Sequence, residues 1–311
     1  MKPEVLQLCP FMPTLEAGLA ERFTLHRWFE MGNGDAFLAS HGAAIRGVVT
    51  GGHLGLPPDV GARLPGLEIV AINGVGYDKV DLAVAKARGY RVTNTPDVLT
   101  EDVADLAIGL SISLLRQIVR GHDHVRTGQW PSGDLSLGRK VSRRRFGILG
   151  LGRIGRAIAK RLEAFDCPIA YASRTKLDVP YAFHPSPLAL ASNCDALIVA
   201  ASASPETRHI IDAEVLAALG PQGVLVNVAR GSLVDEAALV AALATGQLGG
   251  AALDVFEDEP RVPRALWEMP NVVLTPHMAS ATHETRADMA RLLLANLDAH
   301  FAGQPLPAAV V

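Results

Sequence analysis

Cysteine is scarce in this chain of 311 residues, which contains only Cys9, Cys167 and Cys194. Their number is odd and no two of them form a C-x-x-C pair, so the sequence argues against a disulfide scaffold and against a zinc site built from thiolates. Isolated cysteines of this kind are usually small buried hydrophobic residues. We therefore expect a protein that folds in a reducing compartment.

Long hydrophobic runs and an excess of positive charge are also missing. No apolar stretch approaches the roughly 18 residues of a membrane-spanning helix, and the stretch near the N-terminus is broken by Pro10 and Pro13. The formal net charge is -3, which leaves no strongly basic surface to neutralise the phosphates of a nucleic acid. We expect a cytoplasmic protein that binds neither membranes nor nucleic acids.

Hydrophobic residues make up 49% of the chain and charged residues 20%, as in an ordinary globular protein. Such a length suits two domains of about 150 residues each. Short apolar runs alternate with amphipathic segments, a pattern typical of α/β proteins with doubly wound parallel sheets. The strands predicted in the first array are Val5–Leu8, Ala44–Thr50, Leu67–Ile72 and Arg91–Asn94.

A long helix is predicted from Thr100 through Leu115 and beyond, since acidic residues occupy its first turn. A second array follows, and it is typical of a Rossmann unit that starts in mid-chain. Its predicted strands are Phe146–Leu149, Ile169–Ala172, Ala196–Ala200, Val224–Asn227, Ala251–Asp254 and Val272–Leu274, and a last helix runs from about Thr282 to His300.

A glycine-rich turn opens the second array, where Gly150, Gly152 and Gly155 form a G-x-G-x-x-G pattern between a strand and a helix. The first glycine permits a tight turn, the second lets a pyrophosphate approach the backbone, and the third allows close packing of helix on strand. The helix N-terminus then offers N–H groups to the phosphates. The predicted cofactor-binding residues of this turn are Gly150, Leu151, Gly152, Arg153, Ile154 and Gly155.

The end of the second strand of this array indicates which dinucleotide binds. An NAD site carries an acidic residue there for the ribose 2′-hydroxyl, whereas this strand is followed by Ser173, Arg174 and Thr175. A guanidinium flanked by two hydroxyl groups is suited to a 2′-phosphate. NADPH is therefore predicted in preference to NADH. The alternative is that Arg174 is a solvated loop residue and that Asp178 binds the ribose of NAD.

Three further segments follow predicted strands of the second array and carry Arg230, Glu259 and His277. Ligands of open α/β sheets bind at the carboxyl ends of the strands. Hydride transfer to a 2-oxo acid creates an alkoxide that needs a proton donor, a role that suits histidine. Glu259 is the candidate partner of that histidine, and Arg230 is the candidate to hold the substrate carboxylate. Taken singly, the histidine fits a structural loop residue and the glutamate a solvated acidic turn.

From about Ile69 to its end, the chain resembles the D-isomer-specific 2-hydroxyacid dehydrogenases, and within them the glyoxylate/hydroxypyruvate and hydroxyphenylpyruvate reductases. The matching motifs, in order, are Asn73–Asp78, Gly147–Gly155, Asn227–Gly231, Asp254–Pro260 and Thr275–His277. The resemblance implies an enzyme that reduces small 2-oxo acids, such as hydroxypyruvate or glyoxylate, to D-2-hydroxy acids. Phenylpyruvate, hydroxyphenylpyruvate and 2-ketogluconate are the bulkier alternatives.

The resemblance also implies the roles of individual residues. Arg230 would be the substrate arginine, Glu259 the partner of the histidine, and His277 the proton donor. Further residues are expected at the cofactor (Val228, Ala229 and Asp254) and at the substrate (Leu54, Gly74, Val75, Gly76, Ser280 and Trp130). Backbone N–H groups of the glycine-containing turn at Val75 and Gly76 would bind the substrate carboxylate.

By the same resemblance, a split, flavodoxin-like substrate domain comprises residues 1–98 and 283–311. An NADP-binding Rossmann domain, residues 99–282, is inserted in it. A helix and loop at about 100–140 would form a homodimer and place Trp130 at the cleft of the other subunit. The alternative is that Trp130 is tucked into its own domain.

The sequence leaves one other function to consider and argues against a metal site. A nucleotide-sensing binding protein, similar to the C-terminal-binding corepressors, would keep much of the same residue set, but the compact length argues against it. A metal site at His122 and His124 is not expected, because residues two apart on a helix point to different faces. The chain departs from many members of the family at Met278 and Ala279, where they carry two glycines.

Overall fold

The computed structural model describes residues 2–311 and divides into two compact units. The first unit is Met1–Leu99 together with Ser280–Val311, and the second is Thr100–Ala279. The second unit was predicted to comprise residues 99–282, so it begins one residue later and ends three residues earlier than predicted. What each unit binds stays a prediction.

The first unit contains a parallel five-stranded sheet with the order β2-β1-β3-β4-β5. This is a strand order of flavodoxin-like folds. The strands are β1 (Glu4–Gln7), β2 (Thr24–Arg27), β3 (Ile45–Gly51), β4 (Ile69–Asn73) and β5 (Arg91–Thr93). The edge strand β2 was not predicted, because its side chains are only partly buried and show no apolar run.

Helices cover both faces of this sheet. They are α1 (Pro13–Arg22), α2 (Gly34–His41), α3 (Pro58–Ala62), α4 (Leu82–Arg88) and, returning from the end of the chain, α11 (His283–Phe301). One face packs against Leu15 of α1 and Leu293 of α11, and the other against Leu38 of α2 and Val60 of α3. The return of the last helix to the first unit agrees with the sequence-based expectation.

The second unit contains a parallel seven-stranded sheet with the order β12-β11-β10-β9-β6-β7-β8. The strands are β6 (Phe146–Leu149), β7 (Ile169–Ala172), β8 (Ala182–His184), β9 (Ala196–Val199), β10 (Val224–Asn227), β11 (Gly250–Leu253) and β12 (Val272–Leu274). The strand order reverses between β6 and β9. The loops that follow these two strands therefore run in opposite directions and leave a crevice at the carboxyl ends, where such sheets bind ligands.

The predicted long helix is shorter than expected. It is divided into α5 (Thr100–Leu115) and α6 (Ile118–Arg126), because Gln117 adopts a left-handed conformation with φ 55°. A distant segment stabilises the break, since the N–H of Arg139 donates to the carbonyl of Leu115 at 2.7 Å and the Gln117 amide donates to the carbonyl of Leu137 at 3.2 Å. Such tertiary hydrogen bonds are not visible in the helical pattern.

The remaining helices of the second unit are α7 (Arg153–Glu163), α8 (Pro187–Ala191), α9 (Ala213–Leu219) and α10 (Glu236–Ala244). Among residues 2–311, no helix combines the length and the apolar character that crossing a membrane requires.

Candidate active site

The glycine-rich turn joins β6 to α7, and its glycines have distinct structural reasons. Gly150 has φ 93°, and a Cβ placed on it would lie 2.5 Å from Cα of Ala201. A Cβ on Gly155 would lie 2.1 Å from the carbonyl oxygen of Gly150, so the third glycine lets the helix pack against the turn. Gly152 has open space where its Cβ would stand and begins α7 without a side-chain cap. The N-terminal N–H groups of α7 are therefore open to a phosphate.

The other predicted residues of this turn differ in exposure. Leu151 is buried, Ile154 is half-buried and Arg153 is exposed. The close packing at Gly150 and Gly155 agrees with the structural roles expected for these two glycines, and binding of a pyrophosphate by the turn stays a prediction.

The end of β7 presents a cation. Arg174 is exposed, and the neighbouring Ser173 hydroxyl donates to the carbonyl of Thr175 at 2.5 Å. The loop is fixed by Tyr171, whose hydroxyl accepts the N–H of Leu177 at 2.8 Å. A hydrogen bond from Ser204 lowers the pKa of Glu206, and the positive charge of Arg174 adds to that shift. Arg174 therefore lies near Glu206 in the loop that follows β9.

His277 and Glu259 form a close pair. Nδ1 of His277 lies 2.7 Å from Oε2 of Glu259, while the other carboxylate oxygen accepts the N–H of Phe256 at 3.0 Å. Burial raises the pKa of Glu259, but the hydrogen bond and charge of His277 outweigh it, so the pKa lies below its ordinary value. The carboxylate is therefore held ionised against the imidazole.

The turn that carries His277 is organised by Asp254, which is fully buried. Its carboxylate accepts the hydroxyl of Thr275 at 2.6 Å and the N–H groups of Met278 and Ala279, each at 2.9 Å. The backbone carbonyl of Asp254 accepts the N–H of His277 at 2.8 Å. His277 has φ 49°, an uncommon conformation for a residue with a side chain, and these bonds hold it there. Contact of Asp254 with the cofactor stays a prediction.

Arg230 follows β10 in a turn fixed by Asn227. The Asn227 amide donates to the carbonyl of Arg230 at 2.9 Å, and its oxygen accepts the N–H of Ala229 at 3.1 Å. The positive charge of Arg230 contributes to the lowered pKa of Glu259. Val228 is buried and Ala229 half-buried in the same turn. The three predicted catalytic side chains thus follow neighbouring strands β10, β11 and β12.

The predicted substrate residues other than Arg230, His277 and Trp130 belong to the first unit: Leu54, Gly74, Val75, Gly76 and Ser280. All five are half-buried. The turn after β4 is held from β5, since the Asn94 amide donates to the carbonyl of Val75 at 2.8 Å. Binding of substrate by these residues stays a prediction.

Trp130 is not tucked into its own unit, so that alternative is wrong. It is 60% exposed, in a turn of 3-10 helix, and its indole N–H donates to Asp134 at 3.1 Å. Nearby, His124 Nε2 lies 2.8 Å from the carbonyl oxygen of Gly133. The described residues, 2–311, contain no group of three or more side chains suited to hold a metal ion.

Sequence reasoning missed a second pair, His209 and Glu257, whose Nε2 and Oε1 atoms lie 2.8 Å apart. These residues are 48 positions apart, and nothing in the spacing links them. A short-range signal existed only for Glu257, which lies two residues before Glu259.

The amino-acid sequence is similar to those of known proteins. The model of the D-isomer specific 2-hydroxyacid dehydrogenase NAD binding domain matches residues 108–279. The chain is 52% identical to a hydroxyphenylpyruvate reductase of Plectranthus scutellarioides, over 99% of this chain and 98% of that protein. It is 51% identical to the glyoxylate/hydroxypyruvate reductase A HPR2 of Arabidopsis thaliana, with the same coverage.

A solved structure is also similar. The NADPH-dependent glyoxylate/hydroxypyruvate reductase of Sinorhizobium meliloti, in complex with NADP and malonate, superposes with a TM-score of 0.94 at 44% identity and covers 100% of this chain and 97% of that one. The chain therefore belongs to the D-isomer specific 2-hydroxyacid dehydrogenase family. It is an oxidoreductase with an NAD(P)-binding domain, and the predicted family and α/β fold class are confirmed. This finding overrides the non-enzymatic alternative.

Proposed function

We propose that this enzyme uses NADPH to reduce small 2-oxo acids, such as hydroxypyruvate and glyoxylate, to D-2-hydroxy acids. The observation that carries the proposal is the pair of His277 and Glu259, 2.7 Å apart, beside the turn of Arg230 at the carboxyl ends of adjacent strands. A proton donor held by a carboxylate and a cation for the substrate are what carbonyl reduction by hydride requires.

The protein side of the reaction follows from this geometry. Because Glu259 occupies Nδ1 of His277, Nε2 is the atom that delivers a proton to the substrate oxygen. Glu259 stabilises the imidazolium before that transfer, and Arg230 binds the substrate carboxylate and polarises its carbonyl. NADPH, when bound, supplies the hydride that attaches to the carbonyl carbon. The proton and the hydride together convert the ketone to the secondary alcohol.

The preference for NADPH over NADH is supported by the end of β7. Ser173, Arg174 and Thr175 follow the strand directly, whereas Asp178 lies further along an exposed loop. A guanidinium at this position can bind the 2′-phosphate of NADPH through opposite charges. The 2′-hydroxyl of NADH carries no charge and would be bound more weakly. The structure of the Sinorhizobium meliloti relative with NADP is consistent with this preference.

A homodimer is part of the proposal. The segment from α6 through the following loop exposes large apolar side chains that a monomer rarely presents so close in sequence: Ile118, Val119, Val125, Trp130 and Leu137. Leu137 is 96% exposed. A second copy of the chain would cover this segment across a two-fold axis, and Trp130 would then contribute to the partner's substrate site.

A panel of substrates tests the proposal. Initial rates are measured with hydroxypyruvate, glyoxylate, phenylpyruvate and 2-ketogluconate, each with NADPH and with NADH, by following the nicotinamide absorbance. We expect the highest kcat/KM with hydroxypyruvate or glyoxylate and NADPH. A higher kcat/KM with phenylpyruvate or 2-ketogluconate would replace the small-substrate proposal by the corresponding bulkier one. Reduction of none of the four acids would refute both.

A further inference from the structure

A second histidine–carboxylate pair lies next to the catalytic one. His209 faces Glu257 at 2.8 Å, as His277 faces Glu259 at 2.7 Å, and the two glutamates are two residues apart on one segment. Both histidines have positive φ, 52° at His209 and 49° at His277. A residue that holds such a conformation is fixed by its surroundings, and such positions concentrate at functional sites.

Three groups hold Glu257. Its carboxylate is hydrogen-bonded to the guanidinium of Arg208 and to the ring of His209. Its backbone N–H donates to Oε1 of Glu236 at 3.2 Å. Burial raises the pKa of Glu236, and the charges of Glu257 and Asp258 raise it further. A carboxylate that is hydrogen-bonded to two side chains, on a residue whose backbone N–H is also hydrogen-bonded, has little freedom to move.

The segment of Glu257 transmits its position to the catalytic glutamate. The N–H of Phe256 donates to Glu259, and Gly231 packs so tightly that a Cβ there would lie 1.9 Å from the carbonyl carbon of Phe256. A shift of Glu257 would therefore displace Glu259 and press on the turn after Arg230.

The other end of the network reaches the glycine-rich turn. His209 is fixed by its N–H, which donates to the carbonyl of Ser232 at 2.9 Å. The segment that ends at His209 begins at Ala200 and Ala201, against which Gly150 packs. The backbone from Ala200 to His209 thus leads from the predicted pyrophosphate site to the two side chains that contact Glu257.

We infer that Glu257 is a positioning residue of the reaction. Its carboxylate, held by Arg208 and His209, sets Glu259 at the distance from His277 at which the imidazolium is stabilised. This inference rests on the proposed roles of His277 and Glu259. The alternative is an ion cluster without function, and Arg208, 57% exposed, contributes little stability by itself.

The test compares Glu257→Gln with Asp258→Asn. Asp258 is the adjacent acid on the same segment, and its exposed carboxylate accepts a hydrogen bond from the exposed Arg261 at 2.7 Å. We expect Glu257→Gln to lower kcat roughly tenfold, since small misplacements of catalytic groups have large effects on rate. Affinity for NADPH, measured by fluorescence titration, should change less than about twofold, and Asp258→Asn should match the wild type in both.

Two further measurements separate positioning from a merely structural role. The pH at which kcat falls to half should move lower in Glu257→Gln, because a displaced Glu259 stabilises the imidazolium less. His209→Gln should lower kcat similarly, and the double variant should be no slower than either single one by more than about twofold, as expected for residues that act as a unit. Equal rates and pH profiles in Glu257→Gln and Asp258→Asn would overturn the inference.

A readout without turnover keeps this test independent of the proposed function. NMR titration of the His277 ring in the wild type, Glu257→Gln and Asp258→Asn reports the histidine–glutamate coupling directly. A lower midpoint in Glu257→Gln alone supports the positioning role even if none of the four acids is a substrate. An unchanged midpoint contradicts it whatever the substrate is.

Discussion

The buried carboxylate of Asp254 accepts the hydroxyl of Thr275 at 2.6 Å, across the ends of β11 and β12. The same carboxylate accepts two N–H groups from the residues after His277, so one side chain fixes both sides of the turn that presents the imidazole. The proposed proton donor, His277, is therefore placed by a buried carboxylate that accepts three hydrogen bonds, and the geometry of the turn depends on that side chain.

Replacing the buried carboxylate of Asp254 should destabilise the second unit. In the wild type, the N–H groups of Met278 and Ala279 donate to the Asp254 carboxylate. In Asp254→Asn, the amide NH2 would face one of these N–H groups, and two donors cannot form a hydrogen bond. We expect the free energy of unfolding to fall by about 3 kcal/mol, the size typical of a broken buried charge network. Urea denaturation measures it. Asp166→Asn is the control, since its side chain is 75% exposed and should change stability by less than about 0.5 kcal/mol. Equal midpoints for the two variants would show that Asp254 is dispensable for the turn.

The ionised state of Glu259 should be visible in the pH dependence of reduction. The pKa of Glu259 lies below its ordinary value because of the hydrogen bond and charge of His277, so the carboxylate is charged throughout the neutral range. Glu259→Gln removes that charge and destabilises the imidazolium, so the pH at which the rate falls to half should move lower. kcat measured from pH 5 to 10 checks this. A profile that coincides with that of the wild type would leave Glu259 without the proposed role.

The charge at the end of β7 should determine cofactor preference. Arg174→Asp places a carboxylate where a 2′-phosphate is expected, which repels NADPH and accepts the ribose hydroxyl of NADH. We expect the ratio of kcat/KM for NADPH over NADH to fall at least 100-fold. The neighbouring exposed cation provides the control, and Lys176→Asp should change the ratio by less than fivefold. A wild-type enzyme that uses both cofactors equally would contradict the assignment.

The exposed apolar segment should control the oligomeric state. We expect the wild type to have twice the monomer mass of 32.9 kDa by light scattering. Leu137→Asp should give the monomer, because burying an aspartate in an apolar contact is unfavourable. Leu188, an exposed leucine elsewhere in the same unit, provides the control, and Leu188→Asp should remain dimeric. A monomeric wild type, or a dimeric Leu137→Asp, would place the interface elsewhere or nowhere.

Much of the second unit could be predicted from sequence. The central strands Phe146–Leu149 and Val224–Asn227 have the predicted bounds, because short runs of buried side chains mark such strands directly. Ile169–Ala172 and the half-buried edge strand Val272–Leu274 also have the predicted bounds. The glycine pattern likewise predicts the turn before α7, since Gly150 and Gly155 each meet a local steric demand. The weakly buried strand β8 (Ala182–His184) carries no such signal and was missed.

The rest depended on contacts between distant residues. The helix break at Gln117 is stabilised by the N–H of Arg139 and the carbonyl of Leu137, and a helical pattern does not reveal such hydrogen bonds. The strand-end positions made Glu259 a candidate partner of His277 and the family resemblance supported the pairing, but sequence order alone does not bring their side chains together. The pair of His209 and Glu257 had no such resemblance to suggest it, and only the folded chain shows it.

The turnover of His277→Ala with hydroxypyruvate and NADPH tests the proposed mechanism most directly. His283→Ala is the matched control, since His283 is exposed at the start of α11. We expect His277→Ala to bind NADPH as the wild type does while its kcat falls by roughly 10²–10⁴-fold, the effect of losing a general acid. We expect His283→Ala to keep the wild-type kcat. Turnover in His277→Ala within about threefold of the wild type would contradict the assignment of this histidine as proton donor.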